Sequence, residues 1–494
     1  MSALAALEKT ALTDLSDPRL FREYAYADGR WIAATDGAAI DVQNPADGMR
    51  LGAVPALGAE QVGQTIAAAD AAFAAWAALL PQERGAILRR WHDLILEARE
   101  DLARLMVLEQ GKPLSEARGE IDYAASFVAF YAEEAKRLNV ESVTSHLPHA
   151  EMRISREPAG VAGLVTPWNF PSAMLTRKAA AALAAGCTVV THPSSETPFS
   201  ALALAELAER AGFPAGIFNV LTGKAAEVVG AMTASPKVRV LSFTGSTEIG
   251  RLLYAQSAPT VKKLVMELGG HAPFVAFADC DFEHAVESAI SAKFATSGQD
   301  CLAANRFYIE RPIYEAFVAA FADRVRTLSI GPGLHDPDIG PLINARAVKK
   351  QEEHVADALA KGARLIVGGK RADLGKNFFL PTVLADVPEN ALIFREETFG
   401  PIAAFAPFDD EDDVLSRASD TETGLVAYLH TRSPARIARF SRALEFGMVA
   451  VNRTKITGAP IPFGGIKQAG LGREGSRIGM EEFTNVKYVC ADTR

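Results

Sequence analysis

The 494-residue sequence has few cysteines, no excess of positive charge and no long apolar run, and each shortage excludes a class of protein. Four cysteines are too few for a disulfide framework in so long a chain, and no two have the C-x-x-C spacing of a zinc ribbon. Lys and Arg total 51 against 60 for Asp and Glu, which lacks the basic footprint of a nucleic-acid-binding protein. The most apolar stretch, residues 179–190, is interrupted by Gly186, whereas a membrane helix needs roughly 20 residues.

The N-terminal segment and the composition indicate a folded protein of a reducing compartment. Residues 1–20 contain no basic patch followed by an apolar core, so we expect no signal peptide. Apolar residues make up 49% and charged residues 22%, which are ordinary globular proportions. We therefore expect a cytoplasmic protein.

The apolar pattern predicts an α/β fold with two α/β lobes. After a short strand region, the first 140 residues show helical spacing. From Val161 onward, short β-rich runs alternate with helical segments, which indicates a parallel sheet covered on both faces. The predicted strands of the first lobe are 161–166, 187–191, 217–221 and 238–243. Those of the second lobe are 273–277, 307–309, 403–408, 426–430 and 448–451.

Two segments belong to neither lobe. Residues 141–158 predict a β-hairpin and residues 485–490 a lone strand near the C-terminus. A lone strand must pair or leave its backbone amides unpaired, which favours a sheet that joins subunits. The alternative is a local sheet within one chain.

Three separate positions are candidates for catalysis. Cys301 follows a helical run in a small, polar turn that contains Gly298, and is a candidate nucleophile; a lone cysteine is more often inert. Glu267 ends an apolar strand before two glycines, where burial can raise its pKa and make it a general base, although a salt-bridged acid is the alternative. Asn169 lies in a turn fixed by two prolines and can donate to an oxyanion or simply cap that turn.

A weaker signal points to phosphate. Residues 243–250 follow a strand and open a helix, where free N–H groups and the helix dipole favour anions. The G-x-x-x-x-G spacing lacks the Lys-Ser/Thr of a P-loop and is not the dinucleotide fingerprint.

Together these motifs resemble the aldehyde dehydrogenase superfamily, and within it the bacterial succinate-semialdehyde dehydrogenases. The segments that carry the resemblance occur in the family's order and are 166–171, 243–250, 267–270, 298–301, 397–401 and 462–465, with support from 172–178, 193–201 and 467–475. The resemblance covers almost the whole chain, from about Tyr26 to Val489.

The resemblance implies a domain arrangement and a set of roles. Residues 1–139 and 159–265 would form an NAD(P)-binding Rossmann-like domain, 266–460 the catalytic domain, and 140–158 with 480–494 the oligomerisation strands of a homodimer or homotetramer. Cys301 would attack the aldehyde, Asn169 would hold the oxyanion, Glu267 would activate water, and Lys178 would belong to the hydrogen-bond network around that base. The implied cofactor-binding residues are Thr166, Pro167, Trp168, His192, Ser195, Gly245, Ser246, Leu268, Glu397 and Phe399.

Departures from the family pattern bear on cofactor and substrate. His192 replaces a lysine that is usual in the family, which removes an attraction for the 2′-phosphate of NADP, and Ser195 replaces a frequent glutamate, which removes a repulsion. Because the two changes oppose each other in NADP binding, we predict use of NAD or NADP without a firm preference. Of two substrate-binding arginines, Arg177 is present and Ala295 replaces the second. Arg453 or Lys455 can supply the missing charge or form a solvated basic loop.

We therefore predict oxidation of a small anionic aldehyde, with succinate semialdehyde as first choice, and we assign its binding to Arg177, Phe170, Arg453 and Thr457. The alternatives are another ω-carboxy or sulfonated aldehyde, a cysteine hydrolase (thioesterase or amidase) or an inactive relative. A hydrolase would need a histidine beside Cys301. We expect no metal, no nucleic acid and no membrane partner.

Overall fold

A computed structural model describes residues 15–494, and its fold confirms the predicted class of two α/β lobes. The expectation that residues 1–20 are not a signal peptide falls mostly outside the described residues.

The first lobe contains an eight-stranded sheet with the order β2-β1-β9-β8-β7-β10-β11-β21. Its strands are β1 (Ala25–Ala27), β2 (Arg30–Ile32), β7 (Val161–Val165), β8 (Thr188–His192), β9 (Phe218–Val220), β10 (Val238–Thr244), β11 (Lys263–Glu267) and β21 (Gly470–Leu471). Strands β7 to β11 are parallel, and every residue of β7 is buried because helices cover both faces.

Eight helices of the described chain surround this sheet. They are α1 (Ala59–Ala78), α2 (Pro81–Glu97), α3 (Arg99–Gln110), α4 (Leu114–Glu134), α5 (Pro171–Ala185), α6 (Pro198–Ala211), α7 (Ala225–Ala234) and α8 (Thr247–Ser257). Helix α5 begins with Pro171, whose missing N–H is not needed in the first turn, and it ends at Gly186, with a φ of 101°. Within residues 15–494 no single helix is long and apolar enough to cross a membrane, although the bent pair α1 and α2 passes that test together.

The second lobe contains a seven-stranded sheet with the order β14-β15-β16-β13-β12-β18-β19. Its strands are β12 (Ala272–Ala276), β13 (Ala304–Glu310), β14 (Arg364–Val367), β15 (Thr382–Ala385), β16 (Ile402–Phe408), β18 (Val426–His430) and β19 (Met448–Val451). Its helices are α9 (Phe282–Phe294), α10 (Arg311–Arg326), α11 (Ala345–Ala360), α12 (Glu411–Ser419) and α13 (Pro434–Ala443). All its neighbouring strands are parallel except β14 and β15.

Three small sheets complete the described structure, together with helix α14 (Ser476–Glu481). They are β3 (Ala39–Gln43) with β4 (Arg50–Pro55), β17 (Thr423–Gly424) with β20 (Ile466–Lys467), and β22 (Thr484–Asp492) with β6 (Ala150–Pro158) and β5 (Glu141–Val143).

The three-stranded sheet pairs the C-terminal strand within its own chain, and the continuation of this sheet into another subunit stays a prediction. Strand β22 is antiparallel to β6 of the same chain over its whole length, from Thr484 opposite Pro158 to Asp492 opposite Ala150. The backbone groups on one edge of the C-terminal strand are therefore hydrogen-bonded within the chain, because the predicted hairpin provides a nine-residue partner strand. The other edge of β22 stays unpaired within the described chain.

The proposed boundary between residues 265 and 266 falls inside β11, and Gly470–Leu471 returns to the first sheet from beyond the second lobe. This return brings the C-terminal segment against the strand that ends at Glu267.

Candidate active site

Cys301 lies in a tight loop between α9 and β13. Thr296, Ser297 and Gly298 all have positive φ angles, of 51°, 57° and 74°, so the chain reverses just before the cysteine. Glycine is required at 298 because a Cβ there would lie 2.3 Å from the Gly400 carbonyl oxygen. The loop thus holds a free, half-buried thiol at the junction of the lobes.

Two cavities share Cys301 and Met174 in their walls. The first has a volume of about 350 Å³ and the second about 620 Å³. A nucleophile in a wall common to two cavities can meet one ligand from each side. This position distinguishes Cys301 from Cys187, which is buried in the core.

Asn169 is held in the wall of the first cavity. Its Nδ2 donates to the Gln299 carbonyl at 3.0 Å, which leaves the second hydrogen of the amide without a partner among the described residues. The backbone carbonyl of Asn169 accepts a hydrogen bond from Lys112 Nζ at 2.8 Å, and the Lys112 ammonium also donates to Glu120 at 2.5 Å. The buried lysine therefore fixes the backbone that carries the amide.

Glu267 ends β11 in a buried position, 2% exposed. Neither of its carboxyl oxygens has a hydrogen-bond partner among the described residues, and it lines neither cavity of Cys301. Burial, followed by the negative charge of Glu474, holds the pKa of Glu267 well above its usual value. The raised pKa favours the protonated carboxyl, and no hydrogen bond from the described residues restrains it.

Glu474 is a functional candidate that the sequence reasoning missed. Its carboxylate pairs with Arg177 Nε at 2.5 Å and also with Lys178 Nζ, which in turn donates to Ser242 Oγ at 3.1 Å. Burial lowers the pKa of Lys178. Burial also opposes the ionisation of Glu474, but the charges of Arg177 and Lys178 hold the pKa of Glu474 below its usual value. The segment 467–475 was singled out, but nothing in it indicated this buried triad.

The first cavity gathers most of the predicted cofactor residues. Its wall contains Pro167, Trp168, Gly245, Ser246, Leu268, Glu397 and Phe399. The rings of Trp168 and Phe399 pack edge to face at 5.4 Å, while Ser246 caps the start of α8. Glu397 accepts the Gly270 N–H at 2.9 Å, and burial raises its pKa to about 7.

Three predicted cofactor residues lie outside this cavity. Thr166 and His192 are buried and Ser195 is exposed, and none of them lines the first cavity. His192 Nδ1 lies 3.0 Å from the Leu221 carbonyl oxygen, and desolvation lowers the pKa of the imidazole. Conversely, Asn344, Arg346 and Lys350 line the cavity and were not predicted. The sequence signal for them is slight, since Asn344 is an ordinary N-cap of α11.

The second cavity contains three of the four predicted substrate residues. Phe170, Arg177 and Thr457 line it, whereas Arg453 does not. Lys455 and Ala295 also belong to its wall. Arg453 instead lies outside this wall, and its guanidinium Nε donates to the Lys455 carbonyl at 3.0 Å.

The environment of Cys301 disfavours the resting thiolate. Desolvation and then the neighbouring Asp300 raise the pKa of the Cys301 thiol well above its usual value. Asp300 Oδ1 accepts the Leu302 N–H at 3.0 Å, and desolvation raises the pKa of its carboxyl. Repulsion from Asp300 therefore contributes to the raised pKa of Cys301, but burial is the larger cause.

Other reaction chemistries find little support among the described residues. No group of three or more His, Cys, Asp or Glu side chains there can hold a metal. No histidine of residues 15–494 lines either cavity of Cys301, and His271 lies in a separate cleft.

Comparisons with known proteins agree with this geometry. The model of the "Aldehyde dehydrogenase family" matches residues 31–489. Succinate-semialdehyde dehydrogenase [NADP(+)] of Escherichia coli is 53% identical over 477 residues, covering 96% of this chain and 99% of the relative. Glutarate-semialdehyde dehydrogenase of Pseudomonas aeruginosa is 52% identical with the same coverage. A crystal structure of Staphylococcus aureus betaine aldehyde dehydrogenase in complex with NAD+ has a TM-score of 0.95 and 33% identity, covering 98% of this chain and 97% of that one.

Proposed function

The chain belongs to the aldehyde dehydrogenase family, and we propose that it oxidises succinate semialdehyde to succinate while NAD or NADP is reduced. The observation that carries this proposal is the position of Cys301 in the wall common to two cavities. One cavity suits the cofactor and the other suits the aldehyde.

In the first step, the Cys301 thiolate attacks the aldehyde carbon, a C–S bond forms and the carbonyl becomes an oxyanion. The second hydrogen of the Asn169 amide and the Cys301 backbone N–H have no acceptor among the described residues, so both can donate to that oxygen. A donor of this kind contributes roughly 3–4 kcal/mol in the transition state.

The residues of the first cavity fit a nicotinamide dinucleotide. The Thr244 hydroxyl in its wall is buried and has no hydrogen-bond partner among the described residues. The Trp168 and Phe399 rings offer an apolar wall, and the start of α8 offers backbone N–H groups. Glu397 would bind a ribose hydroxyl, Phe399 would pack near the nicotinamide, and Ser246 would lie near the pyrophosphate. When bound, the nicotinamide accepts the hydride that leaves the aldehyde carbon, and a thioester remains on Cys301.

Glu267 would then act on the thioester as a general base toward water. No hydrogen bond from the described residues holds its carboxyl in place, and the two glycines that follow in the chain, Gly269 and Gly270, allow the backbone beside it to move. The form that accepts a proton from water is the ionised carboxylate, which the charges of Arg177 and Lys178 favour against burial. Water attack breaks the C–S bond and releases the acid.

His192 and Ser195 support use of either cofactor. The lowered pKa keeps His192 neutral at pH 7, so it offers no fixed charge to the 2′-phosphate of NADP, and Ser195 offers no repulsion. Other ω-carboxy aldehydes, such as glutarate semialdehyde, and sulfonated aldehydes are the alternative substrates. The second cavity, at about 620 Å³, has room for them.

The decisive experiment is to mix the purified protein with succinate semialdehyde and NAD or NADP and record the absorbance of the reduced nicotinamide. We expect reduction that requires both components. If neither succinate semialdehyde nor a wide panel of aldehydes produced any reduced nicotinamide, the proposal would be refuted and a cysteine hydrolase favoured.

The assembly and location belong to the same proposal. We propose a homodimer or homotetramer in the cytoplasm, because the outer edge of β22 offers unpaired backbone groups to another chain and the thiol chemistry needs a reduced Cys301. Light scattering of the eluting protein would show a monomer mass if the oligomer were wrong.

A further inference from the structure

We propose that Lys455 binds the distal anionic group of the aldehyde, and that this lysine, rather than an arginine, selects ω-anionic substrates. The inference rests on the proposed function and assigns the specificity of its second cavity. It follows from what each cation near that cavity already contacts.

Arg177 has little charge to offer a substrate. Its Nε pairs with Glu474 at 2.5 Å, and the guanidinium carbon lies 4.2 Å from the centre of the Phe463 ring. The side chain is almost completely buried, with 1% exposed. A carboxylate that approached Arg177 would compete with the buried Glu474 carboxylate, which pairs with both Arg177 and Lys178.

Arg453 is the second cation of the neighbourhood and lies outside the cavity. It is exposed, and its Nε donates to the backbone carbonyl of Lys455 at 3.0 Å. Lys455, two residues later in the same loop, lines the cavity together with Ala295 and Cys301. Lys455 is exposed as well, but no carboxylate of the described residues lies within 4.0 Å of its ammonium, so its charge has no ion-pair partner there.

Apart from Arg177 and Lys455, the charged side chains in the wall of the second cavity are carboxyl groups. Four carboxyl groups belong to its wall, namely Glu116, Glu120, Asp300 and Asp338. Glu120 is paired with Lys112, burial raises the pKa of Glu116, and Asp300 accepts the Leu302 N–H. Asp338 remains charged, because hydrogen bonds from Ser329 lower its pKa. An anionic aldehyde therefore needs a free cation in this wall.

The choice of lysine determines the substrate class. An ammonium is a compact point charge on a flexible stem, so it does not require the planar, two-oxygen fit of an arginine. Ala295, a small residue, belongs to the same cavity wall as Lys455. We therefore expect aldehydes with a terminal carboxylate or sulfonate, of differing chain length, to be accepted through the same ammonium.

The test compares Lys455→Met with the matched control Arg453→Met, which removes the same charge from the same loop. Steady-state rates are measured with succinate semialdehyde, glutarate semialdehyde, uncharged butanal and cationic 4-aminobutanal. For Lys455→Met we expect KM to rise about tenfold for both anionic aldehydes, to stay unchanged for butanal and to fall for 4-aminobutanal, with kcat unchanged. Lys455→Arg should keep KM within a few-fold.

A binding measurement separates this inference from the proposed function. Calorimetric titration of glutarate into each variant needs no turnover, and we expect Lys455→Met alone to weaken binding about tenfold. Equal effects of Lys455→Met and Arg453→Met, or equal KM changes for butanal and succinate semialdehyde, would overturn the role of Lys455. A wild type that binds glutarate through Lys455 but oxidises no aldehyde would instead overturn the proposed function.

Discussion

Replacing Glu267 with glutamine should slow hydrolysis and also change how stability depends on pH. The carboxyl is buried and none of its oxygens is hydrogen-bonded within the described residues, so an amide of equal size fits without removing a contact. As a general base, Glu267 would contribute about 10²–10⁴-fold to the rate of thioester hydrolysis. We expect Glu267→Gln to lower turnover by that factor while Cys301 accumulates an acyl group.

The stability effect follows from the pKa. The unfolded carboxyl loses its proton near its ordinary pKa of 4.5, whereas burial and Glu474 hold the pKa in the folded protein well above that value. Between those values the native state binds more protons than the unfolded state, so wild-type stability falls as pH rises. The fall is about 1.4 kcal/mol per pH unit for this one group, and glutamine removes it.

Two measurements check these expectations. Mass spectrometry after mixing with succinate semialdehyde and cofactor should show the acyl group on Glu267→Gln and not on Cys301→Ala. Urea unfolding from pH 5 to pH 8 should show that the stability of the variant relative to wild type increases with pH, while Glu97→Gln, which changes an exposed acid, follows wild type. Normal turnover of Glu267→Gln, or a relative stability that does not change with pH, would refute the assignment of this buried base.

Three further substitutions test the groups around the thiol. Cys301→Ala should abolish nicotinamide reduction, whereas Cys490→Ser, which changes an exposed thiol, should leave it intact. Asn169→Ala should lower kcat about 10²–10³-fold with little change in KM, because the amide would act mainly on the oxyanion; a change in KM alone would argue for a turn-capping role. Asp300→Asn should lower the raised pKa of the Cys301 thiol and move the alkaline rise of iodoacetamide labelling to lower pH, and an unmoved profile would show that burial alone sets this pKa.

The sequence was informative wherever local pattern decides structure. Val161–Val165, Val426–His430 and Met448–Val451 are apolar, β-rich runs between helices, and each forms a buried or partly buried strand close to its predicted bounds. The loop of Cys301 was also recognisable, since a small polar turn with glycine follows a helix. These features depend on neighbours in the chain, so residue order is enough to predict them.

Helix boundaries were less predictable. The helical spacing of the first 140 residues does not show where one helix ends and the next begins, and the structure contains Pro81–Glu97 and Arg99–Gln110, with the break at Ala98. The second helix is placed by tertiary contacts, as the Asp101 carboxylate accepts the backbone N–H groups of Ser16 and Asp17 at 2.9 and 2.8 Å. Periodicity continues through such a break because both helices bury one face.

The sequence by itself determined that an α/β chain carries a thiol, an acid and an amide suited to aldehyde oxidation. Tertiary structure alone decided which charged side chains form ion pairs. Glu474 pairs with Arg177 and Lys178, which lie almost 300 positions earlier in the chain, whereas Lys455 has no carboxylate partner among the described residues. The physical reason is that the energy of a charge depends on its burial and on the groups around it in space, and residue spacing contains neither.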